Sequence, residues 1–273
     1  MGLSINQNIA AVNSYRNLSN TQNDLSKSLE KLSSGFRINR AADDAAGLAI
    51  SEGLRSQVGG LKVAARNAQD GISVVQTAEG AMTEVHSILQ RVRDLGVQAG
   101  NDSNNPAARA NIKAESDSLA KELTRIAEST NFNGADLLKG GTMTFQVGAG
   151  SDAATNQIEV TLADIGELGE TIGNLNFDTS ANALTSIGAI DTAIGAVSTS
   201  RAQLGSVQNR FEHTIKNINV AVENLSASES RIRDTDMASE MVNFTRAQIL
   251  SQAGTAMLAQ ANQIPQGVLS LLR

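Results

Sequence analysis

The chain has 273 residues, a formal net charge of −6, no cysteine and only 3% aromatic residues. The acidic balance argues against a nucleic-acid partner, because phosphate binding needs a basic face. The absence of cysteine excludes disulfides, a thiol nucleophile and a Cys-ligated zinc. An apolar content carried mainly by small and aliphatic side chains predicts long, closely packed helices rather than a compact enzyme core.

Membrane insertion and catalysis are not expected from the sequence. No run of about 18 apolar residues occurs, and residues 1–11 lack the basic and apolar regions of a conventional cleaved signal peptide. His86 and His213 are the only histidines, and neither stands in a metal-binding or catalytic spacing. We therefore expect no enzymatic activity, no catalytic residue, no metal site and no cofactor.

Residues 1–40 contain the first predicted helix. Apolar residues recur at Leu18, Leu25, Leu29 and Leu32, which mostly follow a seven-residue repeat. The rest of the segment is rich in Asn, Ser and Gln, which give a weak helix in isolation. We expect this segment to be helical only when it packs against a partner.

Residues 41–140 contain the next two predicted helices. An apolar stripe runs from Ile50 to Val92 with a mean step of about 3.5 residues, which keeps it on one face of a single helix. Asn105 and Pro106 predict an N-cap and a first-turn proline for a helix that ends near Ser129.

Residues 141–183 change to a period of two. Phe145 and Val160 belong to two alternating runs separated by a glycine-rich stretch, which predicts a β-hairpin. The weakly patterned stretch from Gly166 to Asn182 is predicted to be irregular or a short strand.

Residues 184–232 and 233–273 contain two further predicted helices. The first carries an apolar stripe from Ile187 to Leu225, again with a step of about 3.5 residues. The stripe of the second helix comprises Ala247, Leu250, Gly254, Met257, Ala261, Ile264, Val268 and Leu271.

These elements predict a mainly α fold, an elongated bundle of long antiparallel helices with one small β-hairpin region. The long middle helices can cover each other, whereas the apolar seams of the two terminal helices are left over at the same end. Such a pair buries too little apolar area to be stable alone. The sequence therefore predicts self-assembly, with a seam formed by Leu18, Leu25, Leu29, Leu32, Leu250, Met257, Ile264, Val268 and Leu271.

Two clusters of charges flank the terminal helices. If the two ends of the chain lie side by side, the clusters meet and form an ion-pair network. The alternative is that each charge is solvated and contributes less than about 1 kcal/mol. The clusters comprise Arg37, Arg40, Asp43 and Asp44 on one side and Arg231, Arg233, Asp234 and Asp236 on the other.

Several strings resemble the two terminal signatures of bacterial flagellin. The amino-terminal string is Leu32-Ser33-Ser34-Gly35, followed by residues 37–40 and 43–50. The carboxyl-terminal strings are residues 208–211, 230–237, 256–262 and 269–272. The resemblance covers about residues 1–140 and 184–273 in the same order as in that family, and the region between them is short here.

The resemblance implies a structural subunit that polymerises with itself into the flagellar filament for swimming motility. It implies that segments 1–40 and 233–273 pair as a coiled coil in an inner tube. It also implies that 41–140 and 184–232 form an outer helical bundle and that 141–183 is a variable hairpin region. It also implies secretion without a cleaved signal, to an extracellular filament. The implied partners are the type III flagellar export apparatus, an export chaperone, the filament cap and hook-junction proteins.

Residues 90–95 resemble the flagellin patch that contacts neighbouring subunits and that vertebrate Toll-like receptor 5 recognises. The candidate residues are Gln90, Arg91, Leu95 and Glu115. The alternative is a helix face whose charges are only solvated.

Two other functions remain open at this point. A hook–filament junction protein shares the paired terminal helices, although residues 249–272 favour flagellin. A helical signalling or adaptor rod needs neither the hairpin nor the terminal signatures.

Overall fold

The computed structural model describes residues 8–271, and the side chains of residues 8–263. Within this part the chain is mainly α-helical, with two small antiparallel hairpins, which confirms the predicted fold class. The helices are α1 (Ile9–Ser34), α2 (Ala45–Ala99), α3 (Pro106–Ser129), α4 (Ala153–Asn156), α5 (Gly166–Gly173), α6 (Ser180–Arg233) and α7 (Met237–Leu271). The strands are β1 (Asn131–Phe132), β2 (Ala135–Asp136), β3 (Thr142–Gln146) and β4 (Gln157–Thr161). None of the helices described is long and apolar enough to cross a membrane.

The chain divides into two compact units. The first unit combines Met1–Ser56 with Asn224–Arg273, and the second is Gln57–Glu223. Helices α2 and α6 each contribute residues to both units.

In the first unit, α1 and α7 lie side by side in opposite directions. The Asn8 side chain caps α1 by accepting from the amide of Ala11, and its Nδ2 donates to the carbonyl of Ala261 at 2.8 Å. Near the other end of α1, Lys31 lies 4.0 Å from Glu240 of α7. The helix then stops at Gly35, whose φ of 75° is a left-handed conformation that glycine adopts without strain.

In the second unit, α2, α3 and α6 surround a continuous apolar core. Met82, Val85 and Leu89 of α2 are fully buried at alternating three- and four-residue steps. The Phe211 ring of α6 lies directly on Gly71 of α2, where an added Cβ would be 2.7 Å from the ring. Helix α3 begins as predicted, with the Asn105 side chain accepting from the amide of Ala108.

The predicted hairpin is formed by β3 and β4. Met143 pairs with Val160 and Phe145 with Ile158, and both β4 partners are buried. The Phe145 ring meets Phe211 edge-to-face with centroids 5.6 Å apart, so the hairpin is fastened to α6 by an aromatic pair.

The prediction of an irregular stretch or short strand for Gly166 to Asn182 was wrong for the two ends of this stretch and right for its middle. The first end is helix α5, which buries Ile172, and the second is the beginning of α6, whereas residues 174–179 are irregular. Gly169 lies so close to α3 that a Cβ would be 2.5 Å from Oγ1 of Thr124. A short helix that contains glycine has low intrinsic stability. The helical conformation of α5 therefore depends on its packing against α3.

Candidate assembly surface

The inner side of the α1–α7 pair is made largely of small residues. Ala247 and Ala261 of α7 are buried, and Gly254 lies opposite Leu18, whose Cδ1 is 3.1 Å from the position of a Cβ on Gly254. Leu18 and Leu25 are half-buried. Small side chains allow the two helices to approach closely, but they bury little apolar area.

Three of the predicted seam residues do not lie in this seam. Leu29, Leu250 and Met257 are 53%, 52% and 62% exposed. On α7 the inward positions next to these are Ser251 and Leu258, both half-buried. Helix α7 carries apolar residues on more than one face, and the face with small residues turns inward because it fits closest to α1. Leu32 is half-buried, whereas the side chains of Ile264, Val268 and Leu271 lie outside the described residues.

Large apolar side chains remain on the outside of both terminal helices. We call this exposed set the assembly face. On α1 it comprises Ile9, Val12, Tyr15 and Leu29, and on α7 it comprises Met237, Met241, Val242, Ile249, Leu250 and Met257. On α7 a shallow groove of about 480 Å³ is lined by Met241, Val242, Thr245, Arg246, Ile249 and Leu250. The groove joins four of these apolar side chains in one patch, and exposed apolar patches are typical of interaction sites.

The two charged segments that flank the terminal helices lie against each other. The backbone amide of Arg37 donates to the carbonyl of Arg233 at 2.7 Å, and the amide of Thr235 donates to that of Gly35 at 3.0 Å. The Arg37 guanidinium also donates to the carbonyl of Ile232 at 2.7 Å. The Arg233 guanidinium lies 4.8 Å from the centre of the Phe36 ring, a cation–π distance. We call this region the joint.

Two of the four arginines of the joint pair with glutamates that no sequence motif indicated. Arg40 Nε lies 2.9 Å from Glu30, and Arg233 Nη1 lies 2.7 Å from Glu52. Neither glutamate belongs to a recognisable motif, and Glu52 is far from Arg233 in sequence, so no local pattern predicts these pairs. Arg231 is exposed.

The aspartates of the joint accept hydrogen bonds from nearby backbone amides and a hydroxyl. Asp43 accepts from the amides of Arg40 and Asn39 at 3.0 and 3.2 Å, and these bonds lower its pKa from 3.8. Asp44 accepts from the amide of Gly47 at 2.8 Å. Asp236 accepts from the amide of Ala238 at 2.9 Å, and Asp234 accepts from the hydroxyl of Ser230 at 2.6 Å. The ion pairs that the structure describes here therefore differ from the predicted network between the two clusters, because the aspartates stabilise turns and helix starts.

The candidate contact patch on α2 and α3 belongs to the second unit. Arg91 Nε and Nη2 both donate to Oε1 of Glu115, at 3.0 and 2.6 Å. Gln90 Nε2 lies 2.9 Å from Nε2 of His86. Leu95, which was predicted to share this surface, is only 1% exposed and belongs to the apolar core of the second unit.

An ion pair next to this patch was not predicted. Arg93 Nε donates to Oδ1 of Asp191 on α6 at 2.6 Å, and this hydrogen bond raises the pKa of Arg93. The two residues are separated by 98 positions in sequence, so only the antiparallel register of α2 and α6 brings them together.

Paired terminal helices with exposed apolar residues, carried by a chain of long helices, are typical of the class of helical structural proteins that associate with other protein surfaces. Among the residues described, no group of His, Cys, Asp and Glu side chains could hold a metal ion. The exposed apolar surface of the terminal helices is suited to association with other protein surfaces.

Comparisons with known proteins identify the family within this class. The bacterial flagellin N-terminal helical region matches residues 5–142, and the bacterial flagellin C-terminal helical region matches residues 187–272. The chain is 52% identical to a flagellin from Halalkalibacterium halodurans and 48% identical to one from Bacillus subtilis, with 98% of this chain and 99% of each relative covered. The crystal structure of Bacillus cereus flagellin is similar over 56% of this chain and 88% of that chain, with 33% identity and a TM-score of 0.48. The chain belongs to the bacterial flagellin family, which is a family of structural proteins.

Proposed function

We propose that this chain is a structural subunit of the bacterial flagellar filament and that it polymerises with itself through the assembly face. The observation that carries this proposal is the exposure of large apolar residues on both terminal helices, with Ile9, Val12 and Tyr15 each about two-thirds exposed. The exposure of these side chains to water is unfavourable by roughly 25 cal/mol for each Å² of apolar surface. This unfavourable free energy is removed when the terminal helices of other copies cover the side chains. The same contact can be repeated along a filament.

The segments take different roles in this proposal. Residues 1–40 and 233–273 form an inner layer of paired helices, where each pair completes its burial against other pairs. Residues 41–140 and 184–232 form a surrounding helical layer, and residues 141–183 carry the hairpin. The marginal burial of the α1–α7 pair and the continuous core of the second unit support this division of labour.

The filament is extracellular, so the chain has to be secreted before it assembles. We propose export by the flagellar export apparatus, with a chaperone that covers the exposed α7 residues before assembly, and growth beneath a cap from a base of hook-junction proteins. The support for a chaperone is the apolar groove around Met241 and Leu250, which needs cover while the chain is still a monomer.

The patch around Arg91 is proposed to contact a neighbouring subunit and, where a vertebrate host is present, Toll-like receptor 5. Gln90, Arg91 and Glu115 are exposed and lie on adjacent helices, which supports a shared contact surface. Because Arg91 and Glu115 bind each other in the subunit, a partner has to replace or extend this ion pair.

Seeded growth tests the proposed function. The purified chain is unfolded, refolded and mixed with short fragments of its own filaments, and the products are imaged by electron microscopy. Long tubes of uniform width are expected, whereas a chain that stays monomeric with seeds under all conditions would refute the proposal. A variant with Met241 and Leu250 both changed to Ser is expected to lose growth and keep its helical circular dichroism, because both side chains are exposed. The matched control changes the exposed Val63 of the second unit to Ser.

The hook–filament junction alternative is not favoured. The relatives that match over almost the full length of this chain at 52% and 48% identity are flagellins. An adaptor rod is equally disfavoured by family membership.

A further inference from the structure

A groove in the second unit lies between strand β4 and the part of α6 that runs from Arg210 to Ala221. Its volume is about 520 Å³. Leu61, Val147 and Ile158 contribute apolar surface to it, and Arg210 and His213 are the titratable residues in its lining. We call it the basic groove.

Arg210 is available for an interaction with another molecule. Its side chain is exposed, and within the described residues it forms neither an ion pair nor a side-chain hydrogen bond. Glu212, the nearest acidic residue along α6, instead accepts a hydrogen bond from Gln208 at 3.2 Å. A solvated guanidinium beside apolar surface suits a carboxylate partner, because the guanidinium offers several donors in one plane.

A separate surface of the same unit carries the opposite charge. Asp164, Glu167 and Glu170 are exposed and follow one another at three-residue steps along the start of α5. In the part of the chain that the structure describes, none of the three forms an ion pair, and Asp164 accepts a hydrogen bond from the amide of Gly166 at 2.9 Å. We call these three residues the acidic edge.

The basic groove and the acidic edge occupy different parts of one chain. Helix α5 packs on α3, with Gly169 against Thr124, whereas the groove is formed by β4, α4 and α6 together with Leu61 and Val147. Two different, complementary surfaces on one chain allow a head-to-tail contact. Such a contact generates an open helical filament when successive rotations do not close into a ring.

We propose that the acidic edge of one subunit docks on the basic groove of the next copy of this chain. The proposal rests on the proposed function, because it names one contact between subunits of the polymer. Opposite charges at such a contact set its register and raise the rate of productive encounter. The apolar lining of the groove adds burial, so the contact strengthens the attachment that the terminal helices begin.

Charge reversal and compensation test this contact in seeded growth. Each variant monomer is added to seeds of the same variant and, in a separate reaction, to native seeds. Arg210→Glu is expected to lower the rate of elongation by at least about tenfold, because like charges then face each other across the contact. The chain that combines Arg210→Glu with Glu167→Lys and Glu170→Lys is expected to grow on its own seeds at close to the native rate. Asp164 is left unchanged because it holds the turn before α5.

Lys216→Glu is the matched control. Lys216 is exposed on the same helix, undergoes the same change of charge and does not line the groove. Native-like growth of this control, together with slow growth of Arg210→Glu and recovery in the combined variant, supports the proposal. Three results would each overturn it. Arg210→Glu could grow at the native rate, Arg210→Glu and Lys216→Glu could lose the same fraction of the elongation rate, or the combined variant could fail to recover. Circular dichroism checks that every variant keeps its helices, and failure of the native chain to elongate would instead refute the proposed function.

Discussion

Replacing Gly71 with Ala probes the centre of the second unit. A Cβ at this position would lie 2.7 Å from Cζ of Phe211 and 3.0 Å from Cε1. Phe211 is fully buried, and its ring also meets the Phe145 ring of the hairpin. The ring therefore has to move against packed atoms to accept one methyl group.

The expected change combines two effects of opposite sign. Overpacking a core typically costs about 1–3 kcal/mol, whereas Ala is better than Gly inside a helix by about 1 kcal/mol. We expect a net destabilisation of about 1 kcal/mol. Gly80 of the same helix is exposed and has no atom within 4 Å of an added Cβ, so Gly80→Ala shows only the helical gain of about 1 kcal/mol.

Thermal unfolding of the monomer, followed by circular dichroism, compares the two variants. At about 2–4 °C for each kcal/mol in a chain of this size, Gly71→Ala is expected to lower Tm and Gly80→Ala to raise it. Equal rises in both variants would refute the reasoning, because the ring would then move without cost. Adding Phe211→Leu to Gly71→Ala is expected to give a smaller loss than the sum of the two single changes, since the clash is removed once the ring is absent.

Three further predictions concern the first unit and the Arg91 patch. Gly254→Leu is expected to disrupt the α1–α7 pair and slow seeded growth, because a Cβ here already lies 3.1 Å from Cδ1 of Leu18 and the rest of the Leu side chain has to displace it further. Gly254→Ala is the control, because its single methyl group needs only a small shift of the Leu18 side chain. Unchanged hydrogen exchange of α1 in the Leu variant would contradict this prediction. A double-mutant cycle on Arg91 and Glu115, measured by urea unfolding, is expected to give a coupling free energy below about 1 kcal/mol, since both side chains are about half exposed. A coupling of several kcal/mol would contradict this, because the pair would then be a major stabiliser. The lowered pKa of Asp43 means that its hydrogen bonds contribute stability above pH 3.8 and lose it as the pH falls through the folded-state pKa. The difference in urea midpoint between the native chain and Asp43→Asn is therefore expected to shrink below pH 3.8, and a difference independent of pH would contradict the assignment.

The long helices of the second unit could be predicted from the sequence because their apolar residues follow one stripe. Between Ile50 and Val92, the predicted positions Val75, Met82 and Leu89 are all fully buried. Helix α5 could not be predicted in the same way. Its conformation depends on contact with Thr124 of α3, which lies about 45 residues away in sequence, and local propensity contains no information on that contact.

The seam of the terminal helices was predicted only in part, for a physical reason. The predicted stripe of α7 alternates Ala247, Gly254 and Ala261 with Leu250 and Met257. The small residues do face α1, but Leu250 and Met257 are exposed and their neighbours Ser251 and Leu258 turn inward. Hydrophobicity favours the larger residue at each step, whereas close approach of two helices favours the smaller one. A seven-residue spacing of Ala and Gly was the signal in the sequence that identifies the inner face.

The joint shows a different limit of sequence reasoning. Clusters of arginine and aspartate at two matching ends predict that the segments meet, and backbone hydrogen bonds between Arg37 and Arg233 and between Gly35 and Thr235 join them. Ionic partners are harder to predict, because an aspartate near a helix start can bond to free amides at once, without the entropy cost of bringing in a distant side chain. Arg233 instead pairs with a glutamate, Glu52, that the fold places within reach.

The poor burial of the terminal pair and the exposure of its large apolar residues are two aspects of one arrangement. The buried residues of α1 and α7 are Ser28, Glu240, Ala247 and Ala261, among those whose side chains the structure describes. Burial of this kind gives far less stabilisation than the aliphatic and aromatic core of the second unit, because the stabilising free energy scales with apolar area. The large side chains that would stabilise the pair are instead on its outside, where only other molecules can cover them. In the proposed filament the terminal helices therefore gain stability when they bind neighbouring copies, so the stability of the α1–α7 pair and the growth of the polymer are expected to be thermodynamically linked.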